Sequence, residues 1–600
     1  MFRPAAALAV LALVPALAFA QAQPDKDKKT EELDPKTRAA IDRAVEKAKE
    51  DLRNEVRAEM QGAQSAAEFL GAVAEGPKLE FFEANGYLRL RGMMLQNPSL
   101  GLGPDPTGHY PFPMPFDRAD DTRQGFSTAN MRFRLEPTFN VSEHVRIRAQ
   151  IDFLDNHVLG SSPSSYFYDP NGQYPATFFG NSRVVSNGND PRLATPYVSP
   201  KRVWGEVQTP VGLLSFGRMP SAWGLGIMAN AGGGLDDDFG DSVDRIQFAL
   251  PPVSTPIGRL AFVPILDFDY EGVLYRQPWA ASGTGQPFSA QSGDDGKGYG
   301  IKIVRLDTPD EVRRKNERNE ASVNFGAYYT YRVQKEYYPQ WDQVGFDGSY
   351  TSTTQKVERG GYANVLDAWF RYLSPSWRVE AELSGVYGQI GDARTDANGA
   401  EIPKVYLRQW GGAVVADWKA IPSKLTIGGE IGMASGDDAP GFGNVPRYGP
   451  SPYGSYEGAQ WCTVQSASCP RPDNNIRNYR FNPAYKVDLI LWSQIMGGVT
   501  DAFYLKPKLR WDILPGLGLD FWLVYSRAME KGSTWSVRPD GSGGDANLGI
   551  EVDTQLTYTS GDGFTAWLQG GVLSPLGGLD SPTREVGRAT LLATGLAIKF

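Results

Sequence analysis

After residue 20 the chain has no run approaching the roughly 18 apolar residues that a membrane-spanning helix requires. That excludes helical spans. It leaves spanning strands open, because lipid-facing and lumen-facing residues alternate in them and the average stays polar. A mean hydropathy of -0.36 is therefore compatible with a membrane barrel. Positive charge is in deficit: the net charge of -9 argues against the basic footprint of a nucleic-acid binder. Histidine occurs only as His109, His144 and His157, without metal-ligand spacing. The only cysteines, Cys462 and Cys469, lie close together among Ser, Pro and Gly. In an oxidising compartment they are expected to pair and staple one loop. Gly-x-Ser-x-Gly, His-Glu-x-x-His and phosphate-binding glycine motifs are all missing, so no enzyme activity is expected.

What the chain does have begins at its amino terminus. Arg3, an apolar run from Ala5 to Leu17, and Ala18-Phe19-Ala20 have the form of a secretory signal peptide over residues 1–20. Residues 21–33 are polar and read as a mobile linker. Asp34 can cap a helix and Pro35 suits its first turn. Ile41, Val45, Ala48, Leu52 and Val56 then recur at steps of three and four. Residues 34–74 are therefore expected to form a periplasmic α-helical segment. A coiled coil, a helix on the barrel mouth and a lumen plug are all compatible with its narrow stripe.

From about residue 80 to Phe600 the period is two. Met131, Phe133 and Leu135 oppose Arg132, Arg134 and Glu136; Val145, Ile147, Ala149, Ile151 and Phe153 oppose Arg146, Arg148, Gln150 and Asp152. The same split separates Arg378, Glu380 and Glu382 from Val379, Ala381 and Leu383. It separates Lys506, Lys508 and Arg510 from Leu505, Leu509 and Trp511, and Glu551 and Asp553 from Ile550 and Val552. A charged face needs water and an apolar face repeated on every strand needs lipid. A closed barrel satisfies both. Short links at 140–142, 209–210, 251–257, 307–318, 374–375, 421–422, 514–516 and 560–562 alternate with nine long ones. The pattern predicts an all-β, transmembrane antiparallel β-barrel of about 18 strands, with 16 as the lower bound, preceded by the short helical segment. The last stretch closes it: Leu592, Thr594, Leu596, Ile598 and Phe600 share one face expected to look outward. Leu596, Ile598 and Phe600 read as the assembly signal for the barrel assembly machinery.

Barrels of this size hold an aqueous channel unless plugged. The charged-face residues named above, Arg132, Arg134, Arg146, Arg148, Asp152, Arg378, Glu380, Glu382, Lys506, Lys508, Arg510, Glu551 and Asp553, are expected to line the lumen. They either form a basic patch for an acidic solute or neutralise one another. The glycine-rich acidic stretch with Asp236, Asp237, Asp238 and Asp241 is a candidate constriction loop that would favour cations. An ordinary solvated acidic loop is the plain alternative. Calcium bound at 235–244 is another, although the spacing does not match an EF-hand; no other cofactor is expected.

Three islands carry a resemblance. Leu214-Ser215-Phe216-Gly217-Arg218 with Gly224-Leu225-Gly226, Ala434-Ser435-Gly436-Asp437-Asp438, and Phe481-Asn482-Pro483-Ala484-Tyr485 resemble segments of alginate-export-type outer-membrane porins. In that resemblance the last island leads back into the wall. It implies 18 strands and an electropositive polyuronate conduit in the outer membrane of a Gram-negative cell. The expected function is passive diffusion of ions or small hydrophilic solutes, with outer-membrane lipid as the surrounding partner. The alternative is a surface adhesin or structural barrel whose N-terminal helix binds a periplasmic partner.

Overall fold

Alternation of apolar and polar residues builds the strands, and the strands pair in chain order. The computed structural model describes residues 81–101, 125–159, 198–269, 295–337, 357–390, 404–437, 442, 475–536, 544–580 and 586–600. The expected signal peptide, linker and helical segment, and both cysteines, lie outside them. The wall begins with β1 (Phe82–Gln96), β2 (Gly125–Ser142), β3 (Val145–Val158), β4 (Val198–Thr209), β5 (Gly212–Pro220) and β6 (Ser242–Ala249). It continues with β7 (Gly258–Asp269), β8 (Gly296–Arg305), β9 (Ser322–Tyr337), β10 (Val357–Leu373), β11 (Trp377–Ile390) and β12 (Val405–Ile421). It ends with β13 (Leu425–Ala434), β14 (Ala502–Leu514), β15 (Leu517–Ala528), β16 (Asn547–Thr559), β17 (Phe564–Pro575) and β18 (Ala589–Lys599).

Each strand pairs antiparallel with the next. β18 also pairs with β1, from Tyr87↔Lys599 to Gln96↔Thr590, so the 18-stranded sheet closes on itself. Closure matters because lipid cannot solvate the free N–H and C=O groups of an edge strand. Two short segments stand apart from the wall count. Val253–Thr255 folds back on β7, and Asn475–Ile476 runs parallel to β12.

The alternation of short and long links holds throughout, with the eight short turns at one end. One short link contains a helix, α1 (Pro309–Glu317). The sequence announces it: Thr308 and Glu311 have capping-box spacing and Pro309 opens the first turn. The Glu311 amide donates to Thr308 Oγ1 at 3.3 Å, and the Thr308 amide donates to Glu311 Oε2 at 2.9 Å.

Side chains follow the two-residue period. On β14 the outward Leu505, Leu509 and Trp511 are 40–50% exposed, whereas the inward Tyr504 is fully buried. Trp377 and Trp418 stack on the outer face near the short-turn end, as expected of an interfacial aromatic belt. On β18, Ala589, Leu591, Ala593 and Ala597 are buried, and Ile598 and Phe600 are exposed on the opposite face. The phase is continuous along the whole strand, so Thr590 belongs to the outward set.

One expectation is corrected. Phe481 to Tyr485 does not lead back into the wall, which resumes only at Ala502. Phe481 is fully buried, and the Asn482 amide donates to Ile227 O at 2.8 Å in another connection. Its aromatic residues pack inside the barrel, a use that the apolar pattern cannot distinguish from facing lipid.

Candidate constriction

Two long connections turn inward and meet. The first, residues 221–241, joins β5 to β6. Its opening turn is fixed by glycines: Gly224 and Gly226 have φ of +57° and +91°, where L side chains are strained. A side chain at Gly224 would also begin 2.4 Å from Glu382 Oε2. That close approach lets the Glu382 carboxylate, on β11, accept backbone N–H groups from Gly226 (2.9 Å), Met228 (3.3 Å) and Ile227 (3.4 Å). Trp223 Nε1 donates to Asp367 on β10 at 2.8 Å. The Trp223 ring packs between Tyr328 and Trp369, with the ammonium of Lys302 5.7 Å from its centre.

The same connection then presents its aspartates to the arginines of β1 and β2. Arg91 donates to Asp236 at 2.9 Å and to Asp238 at 2.7 Å. Arg89, fully buried, reaches Leu235 O at 3.0 Å and Asp238 at 3.3 Å, and Arg132 reaches Asp237 O at 2.7 Å. Burial alone would raise the Asp238 carboxyl, but Arg91 and Arg89 overcome it and hold the group below the ordinary carboxylate range. Burial prevails at Asp237 and pushes it up, with Lys486 and the Gly234 N–H opposing. Asp241 is also pushed up by burial, although it accepts from the Asn230 amide at 3.0 Å. The candidate loop is thus inside the barrel, but its carboxylates are not a free ring. Asp236 and Asp238 neutralise arginines of the wall, and calcium would have to compete with those guanidinium groups.

The second connection, residues 477–501, joins the short segment Asn475–Ile476 to β14. Its apolar residues Phe481, Val487, Ile490, Leu491, Trp492, Ile495 and Val499 are buried together against Ala413, Ala434, Val524 and Leu573 of the wall. Glu551 on β16 accepts from the amides of Leu489 (3.0 Å), Ile490 (2.7 Å) and Leu491 (3.0 Å). Leu491–Ile495 is one turn of π-helix, and the Asp488 carboxylate caps it by accepting from Trp492 at 2.9 Å and Ser493 at 3.1 Å. Burial, and then the charge of Asp553, push Asp488 up to about 7.

The two connections are also tied to each other. Asn482 Nδ2 donates to Asp241 at 2.6 Å, and Lys486 Nζ donates to Asp236 O at 2.5 Å.

The other expected lumen residues pair locally. Arg134 binds Asp152 through two hydrogen bonds of 2.6 and 2.8 Å, and Arg132 meets Asp155 at 2.6 Å. Arg146 and Arg148 share Glu206 at 2.6 and 3.4 Å. Arg378 bonds Glu380 at 2.9 Å, which also accepts from Trp369 Nε1 at 2.8 Å. Lys506 meets Glu430 at 3.5 Å, Lys508 meets Asp417 at 2.8 Å, and Arg510 lies between Asp512 and Asp520. Sequence reading missed Arg89 and Arg91, although Tyr87-Leu88-Arg89-Leu90-Arg91 carries the same alternation. It also missed Asp367, Glu430, Lys486 and Asp488. The last two sit on a connection, where periodicity gives no signal.

Neither a protein-family model nor a curated protein sequence matches the chain. Solved structures similar to it include OpdK of Pseudomonas aeruginosa with vanillate, at 10% identity and a TM-score of 0.40. That match covers 86% of this chain and 99% of that one. OccK11 (OpdR) of Pseudomonas aeruginosa is 10% identical with a TM-score of 0.38, over 86% of this chain and 96% of that one. A loop L8 deletion mutant of OmpT, an outer membrane protein of Vibrio cholerae, is 8% identical with a TM-score of 0.32, over 87% of this chain and all of that one.

Proposed function

We propose that this chain is an outer-membrane channel for the passive diffusion of ions or small hydrophilic solutes. The observation that carries the reading is the division of the wall. Apolar side chains face outward on all sides, and charged side chains face inward, with two connections folded in to narrow the passage. Charges of both signs line the interior and pair there: Arg134 with Asp152, Arg146 and Arg148 with Glu206, Arg91 with Asp236 and Asp238, Arg378 with Glu380, and Lys506 with Glu430. A solute would pass along a wall of paired charges. A uniformly electropositive polyuronate conduit does not follow from this arrangement, so the reading stops short of alginate. Purified protein added to a planar lipid bilayer tests it. Discrete conductance steps are expected, and a barrel that inserts but stays silent overturns the reading in favour of a structural or adhesive barrel.

A further inference from the structure

Each inward connection hangs on the same chemical device. A buried wall glutamate collects three backbone amides, and a buried aspartate stands beside it. For the first connection the pair is Glu382 with Asp367; for the second it is Glu551 with Asp553. Asp367 Oδ2 and Asp553 Oδ1 are buried and receive no hydrogen bond from an amide, amine or hydroxyl. Each aspartate lies within side-chain range of its glutamate's carboxyl, with Ser384 also in range of Asp367 and Trp522 of Asp553. Two carboxyl groups can share a hydrogen bond only when one of them carries a proton. Without it, two like charges stand in contact in a dry site, where Coulomb repulsion is least screened.

Few neighbours could offset that repulsion. Around Asp367 and Glu382 stand Trp223, Tyr328, Ser384, Tyr479 and Tyr485, none of them cationic; the Lys302 ammonium lies against the Trp223 and Tyr328 rings and donates to Ala222 O. Around Glu551 and Asp553 stand Trp522, Asp488 and Lys506, and Lys506 is already engaged with Glu430, which in turn accepts from Tyr485 and Tyr504.

We propose that these two acid pairs are proton-operated latches, holding both connections inside the barrel when protonated and releasing them as the pH rises. The proposal rests on the channel reading for its effect on conduction, though not for the release itself. Asp488 adds to the second latch in the same sense. Its folded-state pKa is raised to about 7, so it favours the docked connection below the ordinary carboxylate range. That contribution is lost as pH climbs from there to about 7.

The test uses the full-length barrel in detergent and in bilayers between about pH 4.5, near the ordinary carboxylate range, and about pH 8. Amide exchange at residues 226–228 and 489–491, corrected for the intrinsic effect of pH, is expected to accelerate at least about tenfold across it, as a local opening would. In Asp367→Asn and Asp553→Asn an amide N–H replaces the shared proton, so the acceleration should vanish while exchange at low pH stays slow. Heat-modifiable gel migration checks that both variants fold. Corrected exchange that is flat in the wild type, or equally pH-dependent in the asparagine variants, overturns the latch. Conductance measured in parallel should rise with pH. A silent barrel with pH-dependent exchange would sink the channel reading and leave the latch standing.

Discussion

The ring of Phe600 stacks on that of Phe133, with centroids 5.7 Å apart and planes 24° from parallel, directly over Gly86. Gly86 and Phe600 exchange backbone hydrogen bonds of 3.1 Å in both directions. A Cβ at Gly86 would begin 2.2 Å from Arg134 O and 2.9 Å from Phe600 Cζ. The seam that closes the barrel therefore needs a residue without a side chain at this point. Gly86→Val should destabilise closure by about 1–3 kcal/mol, the usual range for forcing atoms into a filled site. The measurement is the folded fraction on heat-modifiable gels after refolding; an unchanged fraction would contradict the packing described.

The seam also sets an expectation for lipid-facing charge. Leu596 pairs with Leu90 on one side and Ala566 on the other, within the outward apolar face. Leu596→Arg should cost roughly 2–4 kcal/mol at mid-bilayer and sharply reduce assembled barrel. Lys599, exposed at the strand end, should tolerate glutamine. Equal assembly of the two variants would place Leu596 away from lipid.

Charge selectivity should respond to the acidic connection. Asp236→Asn with Asp238→Asn removes the carboxylates facing Arg89 and Arg91 and leaves the Arg91 guanidinium to passing ions. The reversal potential in a salt gradient is expected to move toward anions. The wild-type pairing at Asp238 should be insensitive to pH above the ordinary carboxylate range. Its folded-state pKa is depressed, so the stabilising charge is present there and is lost only as pH falls through the lower value. A selectivity that titrates near neutrality would point to a different group.

Removing one anchor should loosen the connection it holds first, and the other through the ties of Asn482 and Lys486. Glu551→Ala deprives Ile490 and Leu491 of their acceptor inside the barrel and leaves Leu489 only its 3.3 Å bond to Asp553. Each buried amide left without a partner costs on the order of 1–3 kcal/mol. Noisier and larger conductance is expected, together with new protease cleavage within residues 482–500. A variant with wild-type conductance and resistance would show that the apolar packing alone holds the connection.

Much of the wall was legible in the sequence. Arg132 and Arg134 alternate with Met131 and Phe133, and Lys506 and Lys508 with Leu505 and Leu509, because a strand facing two solvents must show the period in its residues. The turn and loop lengths supplied the strand count for the same reason. The interior was less legible. Asp236 and Asp238 could be placed on an inward connection from composition, but their partners Arg89 and Arg91 lie roughly 145 residues away. Glu382 and Glu551 could be assigned to the inner face. That each gathers the amides of a connection depends on chain geometry that no local pattern records.

Asn482 and Lys486 join the two inward connections by side-chain bonds to Asp241 and Asp236. A displacement of one connection is therefore expected to move the other, as two blades of one shutter would. Single-channel records should then show full, all-or-none transitions. Independent blades would instead leave two half-closed levels, and Asn482→Ala combined with Lys486→Ala, which removes both side-chain ties, should bring those levels out.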